Sequence, residues 1–184
     1  MIFQSSYPGS GGFLIPSNII DNLNIIQKGK KVADFGSGAG YFTVPLARKV
    51  GPQGNVFAID IRPEALEVVS SKAKIEGLEN IITIRCDLEK EGSSGLDDGS
   101  CDIIWIANLL FQTNDDKSVI REAKRVLKKK GTLFLIEWMP RVSFGPQGKK
   151  IKKEDAIKLF KDEGFVFEEE FPTDDYHYGL IFKK

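Results

Sequence analysis

Val32-Ala33-Asp34-Phe35-Gly36-Ser37-Gly38-Ala39-Gly40 is an apolar stretch that ends near a carboxylate and is followed by three glycines at alternate positions. The pattern predicts a buried strand, a tight turn and then a helix that begins near Tyr41. Glycine has no Cβ atom, so its backbone adopts conformations closed to other residues and lets a ligand approach closely. We therefore expect this turn to hold a ligand.

The spacing of these glycines differs from the dinucleotide fingerprint. That fingerprint reads Gly-x-Gly-x-x-Gly, and its third glycine would fall where this chain has Tyr41. Asp34 leads to the same conclusion, because a carboxylate at the tip of the strand would repel a pyrophosphate and attract a cation. The turn is therefore predicted to bind a ligand that carries an ammonium and a sulfonium group.

The rest of the chain alternates strand-like and helix-like runs, which is typical of crossover units in a parallel sheet. After the turn, strands are predicted at residues 56–59, 81–85, 103–107 and 132–136, and the helix before the last of these is predicted to end at Gly131. A helix at 154–162 is followed by strands at 165–167 and 178–182 with no helix between them. Two strands joined in this way must pair antiparallel.

At these residues the chain resembles the class I S-adenosylmethionine-dependent methyltransferases, whose first motif reads acid-x-Gly-x-Gly-x-Gly, and is similar to the small-molecule, quinone-biosynthesis group among them. The resemblance covers nearly the whole chain from Phe13. It implies an α/β, Rossmann-like, mostly parallel seven-stranded sheet with helices on both faces and an antiparallel last strand. We expect residues 1–18 to be an N-terminal segment and candidate lid, and residues 19–184 to form a single methyltransferase domain.

The resemblance implies S-adenosyl-L-methionine as the cofactor, bound at the ends of the first four strands. Asp34 would face the methionine amino group, and Gly36, Ser37 and Gly38 would line the cofactor. Asp60 ends the second strand about 20 residues past the glycines, where a carboxylate accepts hydrogen bonds from both ribose hydroxyls. NAD carries the same ribose, so Asp60 does not separate the two cofactors.

The adenine side of the site is expected at the end of the third strand. The resemblance implies that Asp87 receives the adenine amino group and that Leu88 and Ile61 pack against the faces of the ring. The alternative for Asp87 is a solvated acid in a loop. Asn108 follows the fourth strand, at the edge where ligands of such sheets bind, and is assigned to the cofactor site as well.

The end of the fifth strand carries the candidate for the chemistry. Glu137 is the candidate catalytic residue, which would orient or deprotonate the acceptor, while Trp138 or Phe111 shapes an apolar floor. The alternative is a strand-end acid held by the local backbone. His177, the only histidine, is predicted to be a packed or exposed strand residue rather than a base. Methyl transfer needs little beyond placement and water exclusion, so it does not require a general base.

The amino-acid composition limits which partners and which cellular location we expect. The 184 residues suffice for one domain, and Lys plus Arg equals Asp plus Glu at 26 each, so no global field attracts nucleic acid. The two cysteines, Cys86 and Cys101, lack metal-ligand spacing and are fewer than arsenic-methylating relatives use. We therefore expect no metal and no nucleic-acid partner. We also expect no export signal or membrane span, and a cytoplasmic location.

Together these features predict an enzyme, an S-adenosylmethionine-dependent methyltransferase that acts on a small-molecule methyl acceptor by direct in-line transfer. Two alternatives stay open. A nicotinamide-dependent oxidoreductase would need a pyrophosphate beside Asp34. A non-catalytic S-adenosylmethionine-binding protein would keep the pocket without turnover. Phe111 and Gln112 permit the second alternative, because relatives often carry histidines at these positions.

Overall fold

Strands and helices alternate along most of the chain. The computed structural model describes residues 14–142, 145–146 and 148–184, so residues 1–13 of the candidate lid lie outside the described residues. The strands are β1 (Lys31–Phe35), β2 (Asn55–Asp60), β3 (Ile81–Arg85), β4 (Cys101–Ala107), β5 (Leu127–Trp138), β6 (Val166–Phe171) and β7 (His177–Lys183). The helices are α1 (Pro16–Asn22), α2 (Thr43–Val50), α3 (Pro63–Glu76), α4 (Asp116–Val126) and α5 (Lys153–Asp162), with a 3₁₀ turn at Leu110–Gln112.

The seven strands form one sheet in the order β3-β2-β1-β4-β5-β7-β6. Strands β1 to β5 are parallel to their neighbours among themselves, whereas β7 is antiparallel to both β5 and β6. This confirms the predicted α/β fold with an antiparallel last strand. The tail pairs as predicted, because two strands joined without a crossover helix return in the opposite direction.

Side chains that alternate along the strands bury both faces of the sheet. Val32 and Trp105 share a buried cluster with residues of α1 and α2, and Ala58 of β2 packs under α3 on the same side. The adjacent residues Ala33 and Ile104 point to the opposite face, where they share a cluster with α4 and α5. Helices therefore cover both faces, as predicted.

The end of α4 differs from the prediction. Helix α4 ends at Val126 rather than at Gly131, and the chain passes directly into β5, whose first residue Leu127 pairs with Cys101 of β4. Leu127 is extended and buried. Burial and strand pairing are tertiary interactions, and they outweigh the helical propensity of the three lysines that follow Leu127.

One edge of the sheet collects the carboxyl ends of β1 to β5 and, because β7 is antiparallel, the beginning of β7. The register of β5 and β7 sets Trp138 opposite His177 and Glu137 opposite Tyr178. Sheets of this kind bind ligands at this edge.

Among the described residues, no helix combines the length and the apolar character that a membrane-spanning helix needs.

Candidate active site

Asp34 lies near the carboxyl end of β1 and is only 2% exposed. The hydroxyl of Thr43, the first residue of α2, donates a hydrogen bond of 2.6 Å to Asp34 Oδ2. Burial raises the pKa of Asp34 to about 7; the hydrogen bond from Thr43 opposes this rise and the charge of Asp60 adds to it. A cation bound beside Asp34 would stabilise its charged form and lower this pKa.

The glycine turn after β1 is tied to the end of β2. The backbone N–H groups of Gly36 and Ser37 both donate to one carbonyl oxygen of β2, at 2.8 and 2.9 Å. The N–H of Gly38 donates to Asp60 Oδ2 at 2.8 Å, and Asp60 Oδ1 accepts from the N–H of Arg62 at 3.0 Å. Asp60 therefore holds the turn in place.

Gly36 packs tightly in this turn. Its φ is +73°, and a Cβ atom there would lie 2.7 Å from Leu109 Cδ1. We expect Gly36→Ala to lower the free energy of unfolding by about 2–3 kcal/mol, since left-handed strain and a steric clash add together. Gly77→Ala is the matched control, because Gly77 has a φ of +65° with no atom within 4 Å of that position. Urea unfolding compares the two, and equal losses would contradict the tight contact with Leu109.

A cleft of about 140 Å³ opens at the ends of β1 and β2 and beyond β3. The predicted cofactor residues that line it are Gly36, Asp60, Ile61, Asp87 and Leu88. Its other lining residues, which were not predicted to bind the cofactor, are Arg62, Cys86, Glu89, Leu109, Gln112 and Thr113. The cleft thus combines carboxylates with apolar walls, of which Ile61 is 56% exposed. The other predicted residues, Asp34, Ser37, Gly38 and Asn108, are outside its lining.

Ser37 Oγ and Asn108 Oδ1 are two of three buried polar side-chain atoms near this edge that have no hydrogen-bond partner within the described part of the chain; the third is Asp174 Oδ2. Strands β1 and β4 pair up to Phe35 and Ile106, and Ser37 and Asn108 each follow that last pair by two residues. Asn108 also has a left-handed φ of 54°, which costs a non-glycine residue about 1–3 kcal/mol. Buried polar atoms normally have partners, so these two indicate a polar ligand at this edge.

Glu137 is buried at the end of β5, with 2% of its surface exposed. Its Oε1 accepts hydrogen bonds from the backbone N–H groups of Leu109 and Leu110, at 2.9 and 2.6 Å. Burial raises the pKa of Glu137 to about 8, and the hydrogen bonds from the backbone act in the opposite direction. Glu137 therefore holds the segment that leads from β4 into the 3₁₀ turn, next to the cleft.

The comparison with known families decides the assignment. The family model described as "Methyltransferase domain" matches residues 26–166, a range that includes the glycine turn and Glu137. The chain belongs to this methyltransferase family. This confirms the predicted resemblance to a methyltransferase family.

Relatives of this methyltransferase extend the comparison. The chain is 32% identical over 128 residues to the demethylmenaquinone methyltransferase of Geobacillus stearothermophilus. The aligned residues make up 70% of this chain and 53% of the relative. The chain is 37% identical over 111 residues to an arsenite methyltransferase of Aquipseudomonas alcaligenes, 58% of this chain and 32% of the relative. The chain spans about half the length or less of these curated relatives.

A solved structure confirms the fold of this methyltransferase. The crystal structure of a SAM-dependent methyltransferase from Aquifex aeolicus superposes with a TM-score of 0.83. The alignment covers 96% of this chain and 93% of that protein, at 24% sequence identity. At this identity the likeness concerns the fold alone.

Two residues at the same edge were not predicted as site residues, namely His177 and Asp174. His177 is 1% exposed, and its imidazole lies within hydrogen-bond distance of both Asp174 and Asn108. The predicted antiparallel last strand was the signal that could have found it, because such a strand begins at the ligand-binding edge. Within the residues that the structure describes, no three metal-ligating side chains gather into a metal site.

Proposed function

We propose that this methyltransferase binds S-adenosyl-L-methionine at the ends of β1 to β4 and transfers its methyl group directly to a small-molecule acceptor. The main support is the buried carboxyl group of Asp34 at the edge that also holds Ser37 Oγ and Asn108 Oδ1, two buried atoms to which the described residues offer no hydrogen bond. An amino-acid group suits all three. Its ammonium pairs with a carboxylate and donates to an amide oxygen, while a serine hydroxyl donates to its carboxylate.

The nucleoside part of the cofactor is proposed to occupy the cleft between β1 and β3. Asp60 Oδ2 accepts one backbone hydrogen bond and has a second lone pair for a ribose hydroxyl. Asp60 Oδ1 accepts from both the N–H and, at 3.3 Å, the Nε of Arg62, so a ribose hydroxyl would replace the exposed Arg62 side chain there. Ile61 and Leu88 supply apolar surface for the adenine ring, and Asp87 an acceptor for its amino group. These roles agree with the lining of the cleft.

The contribution of the protein to the reaction is proposed to be placement and exclusion of water. When bound, S-adenosylmethionine supplies a methyl group on a positively charged sulfur, which is a good leaving group. Positioning and water exclusion together can lower the barrier by several kcal/mol. Glu137 supports placement by fixing Leu109, which packs against Gly36. We also propose that residues 1–18 are a lid segment and that residues 19–184 form the methyltransferase domain.

An organic acceptor is favoured over arsenite. The two cysteines of the chain lie at opposite edges of the sheet: Cys86 follows β3 and lines the cleft, whereas Cys101 begins β4. Two thiols so placed cannot bind one arsenic atom together. The demethylmenaquinone methyltransferase relative makes a quinol-like aromatic ring our first choice of acceptor.

The proposed location and partners follow from the cysteines and the charge balance. Cys86 and Cys101 are both free thiols, which is typical of a reducing compartment, and we propose the cytoplasm. Equal numbers of acidic and basic residues argue against nucleic acid as a partner.

Calorimetry tests the cofactor proposal. We expect S-adenosylhomocysteine to bind the full chain while NADH does not, and we expect Asp60→Ala to weaken S-adenosylhomocysteine at least about tenfold, because it removes the acceptor of two hydroxyl groups. Asp102→Asn is the matched control. Asp102 accepts from Lys31 and Lys128 at the opposite edge of the sheet, so its loss should leave the affinity unchanged.

The activity itself requires a second measurement. With methyl-labelled S-adenosylmethionine and a panel of naphthoquinols and phenols, we expect transfer of label to at least one ring substrate. Binding of NADH in place of S-adenosylhomocysteine would contradict the cofactor proposal. If S-adenosylhomocysteine binds but label is transferred neither to the panel nor to any compound of a cell extract, a non-catalytic binding protein would be favoured instead.

A further inference from the structure

A chain of hydrogen bonds links Asp174 to Asn108 through the single histidine. Asp174 Oδ1 lies 2.7 Å from His177 Nδ1 and also accepts from the backbone N–H of His177 at 2.9 Å. The other ring nitrogen, His177 Nε2, lies 3.3 Å from Asn108 Nδ2. All three side chains are at the edge of the sheet where β4 ends and β7 begins.

Bonding rules and burial together determine which atom is the donor in each of these hydrogen bonds. A carboxylate only accepts hydrogen bonds, so His177 must carry its hydrogen on Nδ1, and in the neutral ring Nε2 is then an acceptor. Burial lowers the pKa of His177 and so favours the neutral ring, although Asp174 acts in the opposite direction. An acceptor at Nε2 requires the amide nitrogen of Asn108 to face it. The amide oxygen must therefore point away from His177, and it is a buried atom for which the described residues supply no hydrogen-bond partner.

We propose that His177, held by Asp174, is a positioning residue that orients the carboxamide of Asn108, so that Oδ1 accepts a hydrogen bond from the ammonium group of bound S-adenosylmethionine. This rests on the proposed function. Without His177 the carboxamide could turn over and present its NH₂ group, which repels a cation. The left-handed backbone of Asn108 supports the same interpretation, because such strain is retained where a side chain must point in one direction.

A packing role alone is the competing explanation. The ring of His177 lies 4.1 Å from that of Trp138, measured between centroids, so the imidazole also fills space in the protein. Packing would not require a particular tautomer, and it would not couple His177 to Asn108. The two explanations therefore differ in measurable ways.

A double-mutant cycle on S-adenosylhomocysteine affinity separates the two explanations. His177→Phe keeps an aromatic ring against Trp138 and removes the hydrogen bond to Asn108. We expect about tenfold weaker binding for His177→Phe and for Asn108→Ala, and no further loss in the double variant, because both changes remove the same contact with the ammonium group. Tyr178→Phe is the control: its hydroxyl donates to Ile151, and its loss should leave the affinity unchanged.

Wild-type binding is measured first, so failure of the proposed function is recognised separately as absence of S-adenosylhomocysteine binding. If the wild type binds, unchanged affinity in His177→Phe or additive losses in the double variant would overturn the proposal. Thermal unfolding of each variant confirms that it is folded.

Nitrogen-15 NMR of the unmodified protein provides a test that needs no variant. The chain has one histidine, so its imidazole signals need no assignment. We expect a hydrogen on Nδ1, a bare Nε2, and a change in the Nε2 signal when S-adenosylhomocysteine is added. A hydrogen on Nε2 at neutral pH would overturn the proposal.

Discussion

Asn in place of Asp34 is expected to weaken S-adenosylhomocysteine binding at least about tenfold and, at pH 8, to stabilise the ligand-free protein. The first effect follows because a neutral amide lacks the negative charge that attracts the ammonium group of the ligand. The second follows from burial. Asp34 is 2% exposed, and the cost of its negative charge in the folded state is what raises its pKa to about 7.

The sign of the pH dependence can be worked out. Between about pH 4 and pH 7 the unfolded chain has lost the Asp34 proton while the folded protein keeps it, so stability falls as the pH rises through this range. The loss amounts to roughly 4 kcal/mol at most and is complete above pH 7. Asn at position 34 does not titrate, yet its oxygen still accepts from Thr43. The advantage of the variant should therefore grow from pH 4 to pH 7 and then stay constant.

Urea unfolding of both proteins at pH 5 and pH 8 measures this effect, and calorimetry measures the affinity. Asp21→Asn is the control for removing a surface carboxylate, since the side chain of Asp21 is 69% exposed. Parallel pH profiles for the wild type and Asp34→Asn would show that Asp34 ionises normally and would contradict the prediction. A stabilised variant with full affinity would remove Asp34 from the cofactor site.

The second large effect is expected at Glu137. Glu137→Ala leaves the N–H groups of Leu109 and Leu110 buried without an acceptor, which should lower the free energy of unfolding at pH 6 by about 2–4 kcal/mol. Glu137→Gln keeps an acceptor oxygen at the same place. Since the pKa of Glu137 is raised to about 8, the glutamine variant should match or exceed the wild type in stability, and more so at pH 9 than at pH 6.

The same pair of variants tests the role of Glu137 in the reaction. If Glu137 acts by holding the segment after β4, Glu137→Gln should keep cofactor affinity and methyl transfer, while Glu137→Ala loses both. Loss of methyl transfer in Glu137→Gln with unchanged cofactor affinity would instead favour deprotonation of the acceptor. A stable Glu137→Ala variant would contradict the anchoring role.

Much of the fold was predictable because it depends on local patterns. The glycine turn at residues 36–40 and the alternation of strands with helices identify a parallel sheet, and the missing crossover helix before β7 predicts its antiparallel direction. The end of α4 was not predictable in this way. Leu127 leaves the helix because it pairs with Cys101, a partner 26 residues away in the sequence.

The residues of the candidate site also fall into those that local sequence patterns indicate and those that depend on contacts distant in the sequence. Asp34, Asp60 and Asp87 could be proposed because each stands at or next to the carboxyl end of a predicted strand. Glu137 was left with two interpretations, because its two backbone donors belong to a segment whose path depends on the 3₁₀ turn. His177 was predicted to be only a packed or exposed strand residue, and Asp174 was not considered, because their chemistry depends on a contact with Asn108, which lies 69 residues before His177.

The place of β7 in the sheet has a consequence for biosynthesis. Strand β7 follows the other six strands in the chain but lies between β5 and β6, so the sheet cannot be completed until His177–Lys183 has emerged from the exit tunnel. Until then β5 lacks a neighbour on one side and β6 lacks its only one. Unpaired strands invite association with other chains, so translation that terminates before β7 should yield an aggregating product rather than a folded, shortened protein.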